Sequence, residues 1–166
     1  MGRSQFLMSG EFIVSNVPTK ISTVLGSCVA VCIWDPETII GGMNHYLLPG
    51  SHEDLAGDPN KGISSIKMLV NSMLNRGCSI QSLKAKVFGG GSALLPGNRF
   101  NVNKQNVDIA FSTLAELGIS VSNHHTGGPV GRRITFNTGN GKVQLKLLDR
   151  NDLGINNAQK CLIYRK

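Results

Sequence analysis

Two residues of this chain have the chemistry for nucleophilic catalysis, and their spacing brings them together. Cys28 follows a Gly-Ser turn at 26–27 and opens an apolar stretch, while His45 closes the next strand-like stretch. If the two stretches pair as a hairpin across a four-residue turn at 35–38, Cys28 lies opposite His45. Directly opposed side chains project from one face, with Cβ atoms about 4.5–5.5 Å apart. The spacing therefore predicts a thiol beside an imidazole.

This pairing supplies the parts of a cysteine nucleophile. The thiolate is the reactive species, and a neighbouring imidazole can take the thiol proton or form an ion pair with the thiolate. The backbone N–H groups around Gly26 and Ser27 are candidates to bind a developing oxyanion. The alternative is that Cys28 and His45 are neighbouring core residues, since cysteine is often buried and a one-residue register slip would turn the side chains apart.

The elements that must position these residues indicate an α/β fold. The stretch from Cys28 to Trp34 is apolar at every position, which favours a strand covered on both faces. Apolar residues at helical spacing predict helices at 63–74 and 103–117, and a Gly-rich turn at 138–141 predicts a hairpin. We expect residues 1–166 to form one domain of mostly antiparallel strands with two amphipathic helices packed outside.

Composition narrows the possible partners. The chain has 166 residues and a net charge of +7, from 17 basic and 10 acidic residues, which favours an anionic partner surface. The basic residues are spread along the chain without interleaved aromatics, so we expect no nucleic-acid binding. No apolar run approaches the roughly 18 residues of a membrane span, and no signal-peptide core is present, so we expect a cytoplasmic protein without membrane insertion.

The cysteines and histidines do not indicate a metal site. Cys28 and Cys32 are separated by three residues, which is not the spacing of a redox or zinc pair. The four histidines are scattered and match no recognised ligand pattern. We therefore expect no metal and no cofactor, and we expect reduced cysteines in the cytoplasm.

Four blocks of this sequence resemble, in the same order, those of the CheD family of chemoreceptor glutamine deamidases. The blocks are "STVLGSCVAVCIWDP", "GGMNHYLLP", "KVFGGGSAL" and "TGGPVGRRI", and the resemblance covers residues 11–147. It implies a CheD-like α/β sandwich. It also implies that the family's catalytic cysteine falls on Cys28 and its catalytic histidine on His45.

The resemblance implies a third catalytic residue as well. The family has a threonine six positions before the cysteine, and here that position is Ser22, with Thr23 next to it. Ser22 is therefore expected to orient the imidazole. The choice between Ser22 and Thr23 stays open, because one residue of strand register decides which face each hydroxyl occupies.

The activity implied by the resemblance is hydrolysis of glutamine side-chain amides on methyl-accepting chemotaxis receptors. The product is glutamate, the intermediate is a Cys-linked thioester, and no cofactor takes part. The alternative is a non-enzymatic chemotaxis adaptor that binds a CheC-type phosphatase, which the resemblance also implies as a partner.

Two glycine-containing blocks have both a local and a functional interpretation. Their glycines either form tight turns or allow the backbone to approach a substrate or partner, and the adjacent arginines either meet an acidic receptor surface or are only solvated. The residues considered for this surface are Gly89, Gly90, Gly127, Gly128, Arg132 and Arg133.

Overall fold

The computed structural model describes residues 2–54, 57–92, 101–149 and 151–152. Within these residues the chain forms nine strands and two helices. In chain order they are β1 (Arg3–Phe6), β2 (Glu11–Ser15), β3 (Thr19–Leu25), β4 (Val29–Asp35), β5 (Ile40–His45), α1 (Gly62–Leu74), β6 (Lys84–Gly89), α2 (Val102–Glu116), β7 (Ser120–Thr126), β8 (Gly131–Asn137) and β9 (Val143–Leu148).

The strands form two sheets. The four-stranded sheet has the order β1-β3-β8-β9, and the five-stranded sheet has the order β2-β5-β4-β6-β7. Neighbouring strands are antiparallel except for two parallel pairs, β1 with β3 and β6 with β7. The fold is thus an α/β sandwich of mostly antiparallel strands, which confirms the predicted fold class.

Strand β4 shows how the layers are stacked. Its side chains alternate between two cores: Val29, Val31 and Ile33 face the helices, whereas Ala30 and Cys32 face the four-stranded sheet. Both helices pack on the same face of the five-stranded sheet, α1 over β5 and β2, and α2 over β6, β4 and β7. The prediction that this strand is covered on both faces is confirmed.

The two helices lie within one residue of their predicted bounds, because each has a clear apolar stripe. Ile66, Leu69 and Met73 of α1 are fully buried, as are Ala110 and Leu114 of α2. No helix of the described residues is long and apolar enough to cross a membrane.

The β4–β5 hairpin has a register different from the predicted one. With Cys28 opposite His45, Cys32 would lie opposite Gly41, but the structure pairs Cys32 with Met43. The register is therefore shifted by two residues. Because strand side chains alternate with a period of two, this shift leaves each side chain on its expected face. Cys28 and His45 remain on a common face, as diagonal rather than directly opposed neighbours.

The shift arises at the turn. Asp35 still belongs to the strand and pairs with Ile40, so the loop is 36–39 rather than 35–38. The Asp35 carboxylate accepts a hydrogen bond from the Thr38 hydroxyl (2.9 Å), and Ile39 closes the loop at a φ of 56°. A β-branched residue rarely adopts this conformation, so the sequence did not indicate this turn.

Candidate active site

Cys28 and His45 both lie in the layer between the two sheets. Cys28 belongs to the inter-sheet core together with Ala30 and Met43. His45 is two residues after Met43 on β5 and therefore faces the same layer. Each of the two side chains is only 3% exposed. The thiol and the imidazole thus share one face of one sheet and are buried between the two sheets.

The loop that precedes Cys28 is held by the glycine segment after β6. The N–H of Gly91 donates to the Gly26 carbonyl (2.8 Å), and the N–H of Gly90 donates to the Cys28 carbonyl (2.8 Å). At Gly89 the φ is 117°, and a Cβ would lie 2.1 Å from the Cys28 carbonyl oxygen. Glycine is required at this position because the backbone of Cys28 passes so close.

This arrangement corrects the surface role predicted for Gly89 and Gly90. Both residues are buried against the segment that carries Cys28. They therefore support the backbone of the site and do not form an exposed surface for a substrate or a partner.

Gly127 and Gly128, also predicted for a substrate or partner surface, form a turn that is partly exposed. The N–H of Gly127 donates to the Gly89 carbonyl (2.9 Å), which joins its turn to the segment behind Cys28. Gly127 and Gly128 have φ values of 72° and 73°, and Gly128 is exposed. A contact between this turn and a substrate or partner stays a prediction.

Thr23 fixes the orientation and the tautomer of His45. Its Oγ1 lies 2.8 Å from His45 Nδ1, and its hydroxyl donates to the Leu7 carbonyl at 2.8 Å. A carbonyl can only accept, and threonine has one hydroxyl proton, so His45 Nδ1–H must be the donor to Thr23. The neutral imidazole then presents Nε2 without a proton. Among the described residues, Nε2 is buried and has no hydrogen-bond partner.

The expectation that Ser22 orients His45 is corrected by this geometry. Ser22 and Thr23 are adjacent on β3, so their side chains project from opposite faces of the sheet. Thr23 is fully buried in the layer between the sheets. Ser22 faces outward, where its hydroxyl lies 2.8 Å from Thr135 Oγ1 on β8.

Burial keeps the Cys28 thiol and the His45 imidazole uncharged. Desolvation raises the pKa of Cys28 to about 11, and it lowers the pKa of His45 to about 4, with only partial opposition from a hydrogen bond to the Leu7 backbone. At neutral pH the resting pair is therefore a thiol and a neutral imidazole.

Two donors lie close to the sulfur of Cys28. Hydrogen bonds from the Cys28 backbone N–H and from the Ser27 hydroxyl lower the pKa of the thiol, although burial outweighs them. Donors placed beside a nucleophilic sulfur also lie near the oxygen of any carbonyl that the sulfur attacks. The backbone group best placed to bind an oxyanion is thus the N–H of Cys28. It directly follows Gly26 and Ser27, around which the sequence analysis expected the oxyanion donors.

Arg132 was predicted to lie on a surface that meets the receptor, but the structure buries it. It is 1% exposed, and its Nε donates to His125 Nδ1 at 2.8 Å. Its two terminal nitrogens donate to the carbonyls of Val130 and Gly127. The inward position on β8 explains the burial, because Ile134 on the same face is also buried. Arg133 points the other way and is exposed.

Asn106 is a buried polar residue near the site that the sequence analysis did not identify. It lies on the core-facing side of α2, is fully buried, and donates from Nδ2 to the carbonyls of Ser27 (3.1 Å) and Leu47 (2.9 Å). The Tyr46 hydroxyl donates to its backbone carbonyl. An asparagine within the apolar stripe of a helix was the available signal, since such a position is costly unless the amide is paired.

The low pKa of His45 makes the stability of the fold dependent on pH. Between its ordinary pKa of 6.5 and about 4, the unfolded chain binds a proton that the folded chain excludes, so stability falls as pH falls through this window. We expect the stability difference between wild type and His45→Asn to shrink by about 3 kcal/mol from neutral pH to pH ~4. Urea unfolding across this range measures it.

The matched control is His124→Asn, since His124 is exposed. This variant should keep the wild-type dependence of stability on pH. A stability difference between wild type and His45→Asn that does not change with pH would mean that His45 titrates normally in the folded protein.

Comparison with known proteins identifies the family. The family model described as CheD chemotactic sensory transduction matches residues 47–147. A probable chemoreceptor glutamine deamidase CheD of Sulfurimonas denitrificans is 37% identical over 154 residues, covering 89% of this chain and 96% of the relative. The probable chemoreceptor glutamine deamidase CheD of Agrobacterium fabrum is 40% identical over 132 residues, covering 78% of this chain and 72% of the relative. The probable chemoreceptor glutamine deamidase CheD 1 of Anaeromyxobacter dehalogenans is 40% identical over 150 residues, covering 89% of this chain and 86% of the relative. This chain therefore belongs to the CheD family.

Proposed function

We propose that this protein deamidates glutamine side chains on a chemotaxis receptor, with Cys28 as the nucleophile and His45 as the general acid and base. One observation carries the proposal: a buried thiol and an imidazole share a face, and the imidazole is held with Nε2 unprotonated. The names of the relatives supply the substrate class, a chemoreceptor glutamine.

In the first half of the reaction, Cys28 forms a bond to the side-chain carbonyl carbon of the glutamine. His45 Nε2 accepts the thiol proton as the sulfur attacks, because neither group is ionised beforehand. The carbonyl oxygen becomes an oxyanion, which the N–H of Cys28 and the Ser27 hydroxyl are placed to bind. The imidazolium then gives its proton to the departing nitrogen, so that ammonia leaves and a thioester remains.

In the second half, water hydrolyses the thioester. His45 Nε2 removes a proton from the water, whose oxygen bonds to the carbonyl carbon, and the same proton returns to the sulfur as the C–S bond breaks. The products are a glutamate side chain and the free thiol. No redox partner or further reactant is needed.

The burial of the pair suits a long, flexible substrate side chain. Because the thiol and the imidazole are each 3% exposed, a backbone amide on a folded surface could not reach them. A glutamine that projects from a receptor has three single bonds between its backbone and its carboxamide, and it can reach an atom just below the surface.

The proposed setting is the cytoplasm, where thiols stay reduced. Cys28, Cys32 and Cys78 are free, as this requires, and Cys161 lies outside the described residues. An adaptor that binds a CheC-type phosphatase, the other function that the resemblance implies, would not depend on the chemistry of the Cys28 thiol. The Cys28 variant below therefore separates the two functions.

The nucleophile is tested by incubating a receptor fragment with the protein and measuring its mass, which rises by about one unit for each amide converted to an acid. We expect Cys28→Ala to reduce deamidation to the background rate while the protein stays folded. Cys32→Ala is the matched control, because it removes a second buried thiol from the same layer, four residues further along the chain, and it should remain active. Deamidation by a folded Cys28→Ala protein at the wild-type rate would refute the proposal.

The positioning of His45 is tested with an isosteric pair of changes on β3. Thr23→Val removes the hydroxyl that fixes the tautomer, and we expect kcat to fall about 10- to 100-fold with little change in KM. Ser22→Ala should have nearly wild-type kinetics, because its hydroxyl bonds Thr135 on the outer face. If Ser22→Ala lost the activity and Thr23→Val kept it, the proposed role of Thr23 would be wrong.

The outer face of the four-stranded sheet carries the charge for receptor capture. Lys20, Arg133 and Lys146 are exposed on this face, and Arg133 pairs directly with Lys146 across β8 and β9. The four strands of this sheet, within the bounds given above, contain no acidic residue. Arg133 also lies opposite Val24, close to the loop that leads to Cys28. The surface favours an acidic patch on the receptor.

Charge steering is tested with Arg133→Ala at several salt concentrations. We expect KM to rise severalfold at low salt with kcat almost unchanged, and the difference to shrink as salt shortens the Debye length below its physiological value of about 8 Å. Lys67→Ala removes the same charge from an exposed position on α1 and should have little effect. A fall in kcat at every salt concentration would place Arg133 in the fold or in the chemistry instead.

A further inference from the structure

Asn106 connects α2 to both segments that carry the reacting side chains. Its Nδ2 donates to the carbonyl of Ser27, which immediately precedes Cys28, and to the carbonyl of Leu47, two residues after His45. Both acceptors are carbonyl oxygens, so the amide nitrogen must face them and the orientation of the carboxamide is determined. Its Oδ1 is buried and accepts no hydrogen bond among the described residues.

The contact with Ser27 determines where the N–H of Cys28 points. The Ser27 carbonyl and the Cys28 N–H belong to one planar trans peptide, in which they point in opposite directions. Holding the carbonyl oxygen against Asn106 therefore aims the N–H away from α2. That N–H belongs to the same residue as the thiol, so it lies beside the sulfur that would react.

The neighbouring peptides are fixed by other groups. The carbonyls of Gly26 and Cys28 accept hydrogen bonds from the backbone N–H groups of Gly91 and Gly90. Among the described residues, only the Ser27 carbonyl of these three depends on a side chain for its hydrogen bond. A single substitution at Asn106 can therefore release the middle peptide while the other two stay fixed.

We propose that Asn106 is a positioning residue that aims the Cys28 N–H at the oxyanion of the tetrahedral intermediate. This inference rests on the proposed deamidation, because it assigns the donor for that reaction. Asn106 does not contact the substrate in this account; it acts through the Ser27–Cys28 peptide. Its second contact, with Leu47, ties the segment after His45 to the same helix turn.

The kinetic test compares two asparagines of the same helix. Asn106→Leu keeps the side-chain volume but removes the donor, and we expect kcat to fall about 10- to 100-fold with KM within about threefold of wild type, as for loss of a transition-state contact. Asn103→Leu is the matched control. Asn103 donates to the carbonyl of Gly90, a peptide that does not carry the proposed oxyanion donor, and its variant should keep kcat.

A second measurement needs no substrate. The ¹H–¹⁵N chemical shifts of the Cys28 amide should change in Asn106→Leu and stay as in wild type in Asn103→Leu, since only the first change frees the Ser27–Cys28 peptide. A folded Asn106→Leu protein with an unchanged Cys28 amide signal or an unchanged kcat would overturn the inference. If wild type itself does not deamidate the receptor fragment, the proposed function fails, whereas the amide signal still decides whether Asn106 holds this peptide.

A third variant covers the case in which Asn106→Leu does not fold. Asn106→Asp keeps the shape of the side chain, but its carboxylate cannot donate to either carbonyl, whereas the protonated acid can donate one hydrogen bond. Its kcat relative to wild type should therefore rise as pH falls. A ratio that is independent of pH would contradict a role for the donor.

Discussion

The hydrogen bond between Thr23 and His45 is the interaction on which the site depends, and it crosses from one sheet to the other. Thr23 belongs to the four-stranded sheet and His45 to the five-stranded sheet. The Leu7 carbonyl, just beyond β1, accepts the hydrogen bond of the threonine hydroxyl, so the imidazole must donate to Thr23 from Nδ1. Packing of the two sheets therefore sets the tautomer of His45, the proposed catalytic base. A displacement of either sheet would change the chemistry as well as the stability.

Burial in the inter-sheet layer determines how the thiol can react. Desolvation opposes charge on both groups, so the pair rests as thiol and neutral imidazole and not as a preformed ion pair. In the proposed reaction, the thiolate therefore forms only when a carbonyl carbon is in place to accept the sulfur. The hydrogen bonds of the Cys28 N–H and the Ser27 hydroxyl to the sulfur offset part of the cost of forming the thiolate. For the proposed nucleophile, this arrangement favours reaction with a bound substrate over general reactivity of the thiol.

The sequence predicted the layers of the fold because each depends on a local pattern. Strand β4 is apolar on both faces and is buried on both, and the helix bounds follow from the spacing of apolar residues. The hairpin register was wrong by two residues, since Ile39 adopts a positive φ that its residue type does not suggest. Cys28 and His45 were still placed on a common face, because a two-residue shift preserves the alternation.

Other features of the site depend on contacts between distant segments, which local patterns do not contain. Ser22 and Thr23 are adjacent, so one lies on the outer face of the sheet and the other on the inner face. Only the pairing of β3 with its neighbours decides which of the two hydroxyls contacts His45. Arg132 is a charged residue of a type usually found at the surface, but it points inward from β8 and donates three hydrogen bonds within the 125–132 segment. Asn106 contacts carbonyls 79 and 59 residues away in sequence. Hydrogen bonds of this range could not be predicted from spacing.

The most direct test of the account is the protonation state of the His45 ring, measured by ¹⁵N NMR of the folded protein near neutral pH. We expect a protonated Nδ1 and an unprotonated Nε2, and we expect loss of this single tautomer when Thr23 is changed to valine. A ring protonated at Nε2, or an imidazolium paired with a Cys28 thiolate, would contradict the central claim that Thr23 holds a neutral base ready to accept the thiol proton.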